Sequence, residues 1–298
     1  MIPPEVVVVG NAGLDTNVYL PEGGVDWTAE GTFTENLDCV GQAGGYASLG
    51  YAALGRRVAF VGHVGEDAAG RTVRGTLEAA GVDLRGLGLD PAGTARSVNL
   101  MYRDGSRKNF YDGKGHAALA PDLQRCREVL AGARLAHLNI PDWARRLLPL
   151  AKELGLTVAC DLQDVVAADD PYRADFIREA DILFFSAANH GDPSPLIGAF
   201  LQGHPDRIVV SGMGPRGCAL GTRAGIRFFP PVPSDCPVVD TNGAGDALAV
   251  GFLTSHVLEG RPLEEAVHRG QVAARHACAL RGTSAGLITA AELDARSR

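Results

Sequence analysis

The segment Val238-Val239-Asp240-Thr241-Asn242-Gly243-Ala244-Gly245-Asp246 sets two carboxylates and two glycines directly ahead of an apolar stretch, Ala247 to Leu258. Gly243 and Gly245 can take backbone conformations closed to residues with a Cβ and let a ligand approach the main chain. The apolar stretch reads as a buried helix, whose first N–H groups and positive dipole end would face the loop and stabilise a phosphate or a developing negative charge. A carboxylate in a first helical turn is often only a cap. Asp240, however, precedes Asp246 by six positions, so a second acid is expected to reach the same pocket across the loop. Two acids around an anion hole suggest phosphoryl transfer.

Ser211-Gly212-Met213-Gly214-Pro215-Arg216-Gly217 contains a G-x-G-x-x-G match just after the strand-like Ile208 to Val210. A dinucleotide fingerprint needs a helix opening within the glycines. Cys218 to Leu220 and Ile226 to Phe229 instead form a hairpin-like pattern beyond them, so the dinucleotide reading is rejected. The loop is either a tight turn or a border of the same nucleotide pocket as Asp246. No G-x-x-x-x-G-K-[ST] occurs anywhere in the chain, which excludes a P-loop. Gly44-Gly45 reads as a sharp turn or a close approach to a ligand ahead of a helix from Ala47. Asp15, just past the first strand, is placed to accept hydrogen bonds from a polyol, although a solvated surface Asp is the commoner case.

These residues must be held by a scaffold. Val6 to Val9, Val58 to Val61, Ala136 to Leu138, Thr157 to Cys160, Ile182 to Phe185 and Ile208 to Val210 read as buried strands. Between them Ala47 to Leu54, Gly70 to Ala80, Asp122 to Leu130, Trp143 to Leu154 and Pro171 to Glu179 carry helical patterns, three of them stopped by Gly55, Gly81 and Gly155. The alternation predicts an α/β fold with a mostly parallel, doubly wound sheet in a single domain over residues 1–298. Ligands of such sheets bind beyond the carboxyl ends of the strands. Two regions break the alternation: Leu14 to Leu20 with Thr32 to Val40, and Arg96 to Tyr102 with Lys108 to Tyr111. They predict a small β-sheet from segments at about 14–40 and 96–112, projecting as a lid that excludes water from the reaction.

The chain has 298 residues, 46% of them hydrophobic and 21% charged, with a formal net charge of −7. It is long enough to bury a sizeable core. The acidic balance argues against nucleic acid or an anionic membrane as partner and for a small-molecule substrate. Val6 to Val9 is too short for a signal peptide, no run approaches the roughly 20 apolar residues of a membrane span, and the six cysteines form no CxxC pair. These point to a cytoplasmic protein with free, buried thiols.

With these residues in hand the chain resembles the ribokinase-like (PfkB) family of carbohydrate and nucleoside kinases. Asp240 to Asp246 looks like the family's C-terminal signature, and Gly44-Gly45 like the start of its N-terminal one. Val61-Gly62-His63-Val64-Gly65-Glu66-Asp67, with Gly70 and Gly81-Val82-Asp83, matches the run after that start. The resemblance implies a ribokinase-like fold and an ATP-dependent kinase of a small sugar or sugar derivative, with a nucleoside kinase as alternative and a non-catalytic binding relative as second alternative. Asp246 would be the general base, and the amides of Gly243, Ala244 and Gly245 would hold the transferring phosphoryl group. Gly212, Met213, Gly214, Arg216 and Gly217 would border the ATP phosphates and ribose, and the segment around Ala273, Ala277 and Gly282 the adenine.

On the acceptor side the resemblance implies Asp15 and Gly44-Gly45, with Arg96 at a place where phosphofructokinase-like members hold a sugar phosphate; Asn99, Lys108 and Asn109 add polar reach. Mg²⁺ would bridge the phosphates, with Asp161 as a candidate partner through water. K⁺ would sit near Asp240 and the loop Arg281 to Ala285. A homodimer would form through the lid, whose apolar side includes Trp27 and Phe33. Four positions depart from the family: Gly13 and Leu49 stand where asparagines are common, and Ser186 and Asn189 replace the ends of an Asn-x-x-Glu motif. The acceptor and metal half of the site is therefore altered.

Overall fold

Val6–Val9 is the innermost strand because four consecutive β-branched side chains serve two cores at once. Val6 and Val8 pack with Phe60 and Phe184 on one face of the sheet, whereas Val7 and Val9 pack with Trp143 and Phe176 on the other. A strand buried on both faces reads as a continuous apolar run, and all four valines are fully buried.

The computed structural model describes residues 2–165, 167–187, 191–234 and 236–298. In chain order the elements begin with β1 (Val6–Val9), β2 (Gly13–Tyr19), β3 (Glu35–Gly41), α1 (Gln42–Ala53), β4 (Val58–Val64), α2 (Ala68–Ala79) and β5 (Asp83–Leu89). Next come β6 (Arg96–Met101), β7 (Arg107–Asp112), α3 (Leu123–Leu130), β8 (Leu135–Leu138), a 3₁₀ turn at Asp142–Leu147, α4 (Leu148–Glu153), β9 (Thr157–Asp164) and α5 (Ala174–Glu179). The chain continues through β10 (Ile182–Ser186), α6 (Ser194–Leu201), β11 (Ile208–Gly212), β12 (Cys218–Thr222) and β13 (Gly225–Phe229). It closes with α7 (Ala244–Leu253), a π-helical turn at Thr254–Leu258, α8 (Leu263–Ala277) and α9 (Ala290–Arg296).

The large sheet has nine strands in the order β13-β12-β11-β10-β9-β8-β1-β4-β5. From β11 to β5 every pairing is parallel, and β12 and β13 add an antiparallel edge. The hairpin read after the glycine-rich loop is therefore β12–β13. The second sheet has four strands in the order β3-β2-β6-β7, which is the expected small sheet. Its turn at Asp104-Gly105 is closed locally: the Asp104 carboxylate takes the Ser106 N–H and Gly105 adopts a left-handed φ of 82°.

α7 and α8 approach closely, since a Cβ built on Gly251 would stand only 3.0 Å from Gly270 Cα. This contact fixes the helix that carries Asp246 against the core. Two helix starts differ from the sequence reading. α7 begins at Ala244, not Ala247, so Asp246 lies inside its first turn. α1 begins at Gln42, which puts Gly44 and Gly45 within the helix. They serve close packing there: the Gly45 N–H reaches the Asn11 carbonyl at 3.2 Å, and a Cβ on Gly44 would lie 2.7 Å from the same oxygen.

Candidate active site

Gly243 caps α7 with a left-handed backbone (φ 74°), the conformation its lack of a Cβ permits. The turn leaves the N–H groups of the 243–245 segment at the positive end of a ten-residue helix whose apolar body is buried, an arrangement suited to an anion. Asp246 stands in that first turn. Desolvation and the neighbouring Asp161 carboxylate lift its carboxyl well above the ordinary carboxylate range; Asp15 adds to the lift, and the Arg107 guanidinium opposes it. Asp161, on β9, is itself pushed up to about 6 by burial, against the Gln163 N–H that its Oδ1 accepts. The second acid beside Asp246 is thus Asp161, with Asp15 behind it.

Asp240 does not play that part. Its carboxylate is fully buried, with Oδ2 taking the Tyr19 hydroxyl at 2.9 Å and Oδ1 the Asn242 N–H at 2.7 Å. Asp240 shapes the loop: it is sealed from solvent and bonds to Tyr19 and to the Asn242 N–H. The Tyr19 hydroxyl in turn accepts the Gly282 N–H at 2.8 Å, and the Arg281 guanidinium lies 4.9 Å from the Tyr19 ring centroid. One lid hydroxyl therefore joins β2, the anion loop and the 281–282 turn. Tyr19→Phe is expected to destabilise the fold by about 1–3 kcal/mol, the cost of leaving a buried acceptor short of a partner; urea unfolding measures it, and an unchanged midpoint would refute the bridge.

Across the pocket Asp15 is almost completely buried. It accepts Gln42 Nε2 at 2.8 Å and the Tyr46 hydroxyl at 2.9 Å, with Asn242 Nδ2 at 3.4 Å. Desolvation raises its carboxyl, and these donors hold the rise in check. Gln42, which also reaches Ser97 Oγ at 2.7 Å, has φ 65°, a left-handed backbone uncommon for a residue with a Cβ. Such an outlier at a site is a mark of functional constraint. The sharp turn expected at Gly44-Gly45 is thus made at Gly41-Gln42, and the side chains it delivers to Asp15 are Gln42 and Tyr46. Leu49 is buried in the core. Position 13 has no room for an asparagine, because a Cβ there would lie 2.3 Å from the Ala95 carbonyl oxygen.

The lid's register decides which of its residues face this pocket. β6 alternates, with Arg96 and Val98 exposed and Ser97, Asn99 and Met101 buried. Arg96 therefore faces outward, away from Asp15, contrary to its expected role. Directly opposed residues share a sheet face, so Tyr111, Asn109 and Arg107, paired with Ser97, Asn99 and Met101, line the inner side. The turn that precedes Arg107 is docked on the anion loop through Thr241 Oγ1, which donates to the Gly105 carbonyl at 2.6 Å. Arg107 was not singled out in the sequence. Only the strand parity and the Asp104-Gly105 turn before it could have found it.

The segments expected to border a nucleotide are partly brought together. A Cβ on Gly212 would lie 3.6 Å from Leu248, so the Gly212–Gly217 loop abuts α7. Met213 and Arg216 line an open groove of about 540 Å³ with Phe228, Phe229 and Pro230, and Gly214 and Gly217 flank them at left-handed φ. Ala273 and Ala277 are buried, and with Tyr46, Gly50 and Gly243 they line an apolar cavity of about 20 Å³. Gly282 meets the lid, its backbone beside Leu37. Asn189, at the end of the altered Asn-x-x-Glu motif, lies outside the described residues, and Ser186 closes β10. Polar groups missed in the sequence gather at the strand ends: Asn11 Oδ1, both amide atoms of Asn139 and His63 Nδ1 are buried with no protein partner. Among the described residues no group of three or more His, Cys, Asp or Glu is arranged to hold a metal, and no helix is long and apolar enough to cross a membrane.

Residues 7–290 match the pfkB family of carbohydrate kinases. The chain belongs to this family. Its members are ATP-dependent phosphotransferases that act on an alcohol group of a sugar or sugar derivative. Among curated relatives, an acarbose 7(IV)-phosphotransferase of Actinoplanes sp. is 32% identical over 97% of this chain and 97% of its own. The solved structure of a microbiome-derived acarbose kinase, Mak1, superposes with TM-score 0.90 at 30% identity, covering 99% of both chains. The ribokinase fold is equally plain in a structure from Arabidopsis thaliana complexed with ribose and ATP (TM-score 0.81, 23% identity, 99% of both chains).

Proposed function

We propose that this pfkB kinase transfers the γ-phosphoryl group of ATP to a hydroxymethyl group of a small sugar derivative of the acarbose type, with Asp246 as general base. The observation that carries this reading is Asp246 itself, a carboxyl of raised proton affinity in the first turn of α7. It stands in the helix start that carries the amides of Gly243, Ala244 and Gly245, the Ala244 N–H resting on the Thr241 carbonyl at 3.4 Å, and Asp15 acts on it electrostatically. Asp15 orients the acceptor through its hydroxyls. Asp246 removes the proton from the attacking hydroxyl as that oxygen bonds to the γ-phosphorus and the bond to the ADP oxygen breaks. The amides of Gly243, Ala244 and Gly245 receive the charge of the transferring group, and Arg107 holds it from the lid side. Met213, Gly214, Arg216 and Gly217 line the groove in which the nucleotide lies.

Magnesium fits this site, since Asp161 and Asp246 place two carboxyls together, with the guanidiniums of Arg107 and Arg173 acting on them. When bound it would neutralise the ATP phosphates, with Asp161 as its nearest protein partner through water. Potassium near Asp240 would share its oxygens with the Tyr19 hydroxyl and the Asn242 N–H. The reading includes action in the cytoplasm, where ATP is supplied, and a homodimer through the lid. Supporting the dimer, Val98 and Phe110 oppose each other on the outer lid face, 42% and 53% exposed, with Trp27 and Phe33 also exposed.

ADP release from magnesium-ATP in the presence of acarbose, fructose, ribose, cytidine and ribose 1-phosphate tests the reading. Turnover on a sugar derivative is the expected result. Turnover on cytidine alone would replace it with a nucleoside kinase, and ATP binding without any turnover would replace it with a binding protein.

A further inference from the structure

The inner face of the lid carries an unbroken row of amides. Asn17 on β2, Asn99 on β6 and Asn109 on β7 stand opposite one another in register. Asn109 Nδ2 donates to Asn99 Oδ1 at 2.8 Å, Asn99 Nδ2 donates to Asn17 Oδ1 at 2.8 Å, and Asn17 Nδ2 reaches Cys39 Sγ at 3.6 Å. Asn17 and Asn99 are sealed from solvent at 0% and 1% exposure, and each uses its amide on both sides. Asn109 lies on the exposed edge strand, and its Oδ1 has no partner among the described residues. Two amides buried on the central strands of a small sheet cost more than two apolar residues would. Once fully bonded they hold one another in a single orientation.

The charge pattern around the row is equally definite. On one side lies the Tyr19–Met101–Arg107 row, whose cation acts electrostatically on the Asp246 carboxyl. On the other lie Asp15, Ser97 and Tyr111, with His116 Nδ1 2.6 Å from the Tyr111 hydroxyl. Desolvation lowers the His116 and His63 pKa values, so both rings favour the neutral form. The one arginine of β6, Arg96, faces outward.

We infer that Asn109 is the acceptor-specificity residue of this kinase, held in place by Asn99 and Asn17, and that it reads hydroxyl groups of an uncharged, polyhydroxylated acceptor in preference to a phosphorylated sugar. The inference rests on the kinase reading above for the identity of the pocket. Asn99, assigned to the substrate from the sequence, is a positioning residue: its amide is spent on its two neighbours, and its influence reaches the acceptor through Asn109.

The test is binding of acarbose and of ribose 1-phosphate to the full chain by calorimetry, with ATP affinity and kcat measured alongside. Wild-type protein is expected to bind acarbose the more tightly. Asn109→Ala is expected to weaken acarbose binding about tenfold, the loss for a positioned hydrogen bond in a closed site, with ATP affinity unchanged and kcat within about threefold. Asn99→Ala should reproduce the loss, and the double variant should add nothing to it, because both substitutions break one row. Asn109 lies at an exposed edge, so its substitution decides the matter even where Asn99→Ala does not fold. Unchanged acarbose affinity in Asn109→Ala, strictly additive losses, or tighter wild-type binding of ribose 1-phosphate would each overturn the inference. Acarbose binding that depends on Asn109 in a protein that neither binds nor hydrolyses ATP would overturn the kinase reading and leave this one standing.

Discussion

Asp246→Asn is expected to lower kcat by about 10² to 10⁴, the range for a positioned general base, with ATP affinity nearly intact. The amide keeps the shape of the first turn of α7 and the N–H groups of the anion hole, so binding survives while proton removal does not. The pH dependence gives a second reading. A base works only when deprotonated, so kcat/KM falls as pH drops through the Asp246 pKa. Burial and Asp161 raise that pKa, so the fall must begin above the ordinary carboxylate range and must vanish in Asp246→Asn. An Asp246→Asn enzyme with wild-type turnover would remove Asp246 from the chemistry.

Arg107→Ala is expected to cost about 10² to 10³ in kcat, the loss when one preorganised donor to a developing charge is removed. Its effect on pH dependence is opposite in kind to that of Asp246→Asn. Arg107 stabilises the ionised form of Asp246, so its removal raises the carboxyl pKa further and moves the acidic limb of kcat/KM to higher pH. Arg107→Lys keeps the charge and should restore the position of the limb, although not full turnover, because a point charge replaces a planar fork. A limb that stays in place in Arg107→Ala would show that the lid cation does not act on the base.

The parallel sheet, the lid and the turn and helix start at Gly243 to Asp246 were legible in the sequence because local signals specify them. β-branched runs mark the strands, glycines end the helices, and Gly243-Ala244-Gly245-Asp246 packs a turn, a helix start and an acid into four neighbours. On the acceptor side the placement of two features was misread, where it depends on backbone conformation or strand parity. Glutamine is not a signal for a left-handed backbone, so the bend at Gly41-Gln42 was assigned to the nearest paired glycines, which the structure uses for close packing. Arg96 looked suitable by position, yet a shift of one residue in a strand reverses the face, and the inward residues are Ser97 and Asn99. Asp240 looked like a second reactive acid because its partner Tyr19 lies 221 residues away in the chain. Pairings of that kind are invisible to spacing.

The Tyr19 hydroxyl has a thermodynamic consequence. It belongs to the lid, yet it fixes Asp240, whose other oxygen sets the start of the phosphate loop. On the proposed reading, a sugar that drew the lid inward would also shape the place where ATP sits. Linkage is reciprocal, so whatever factor the first substrate adds to the affinity for the second, the second must return to the first. Substitution of Tyr19 would then shrink both factors together and turn a cooperative pair of ligands into two independent ones.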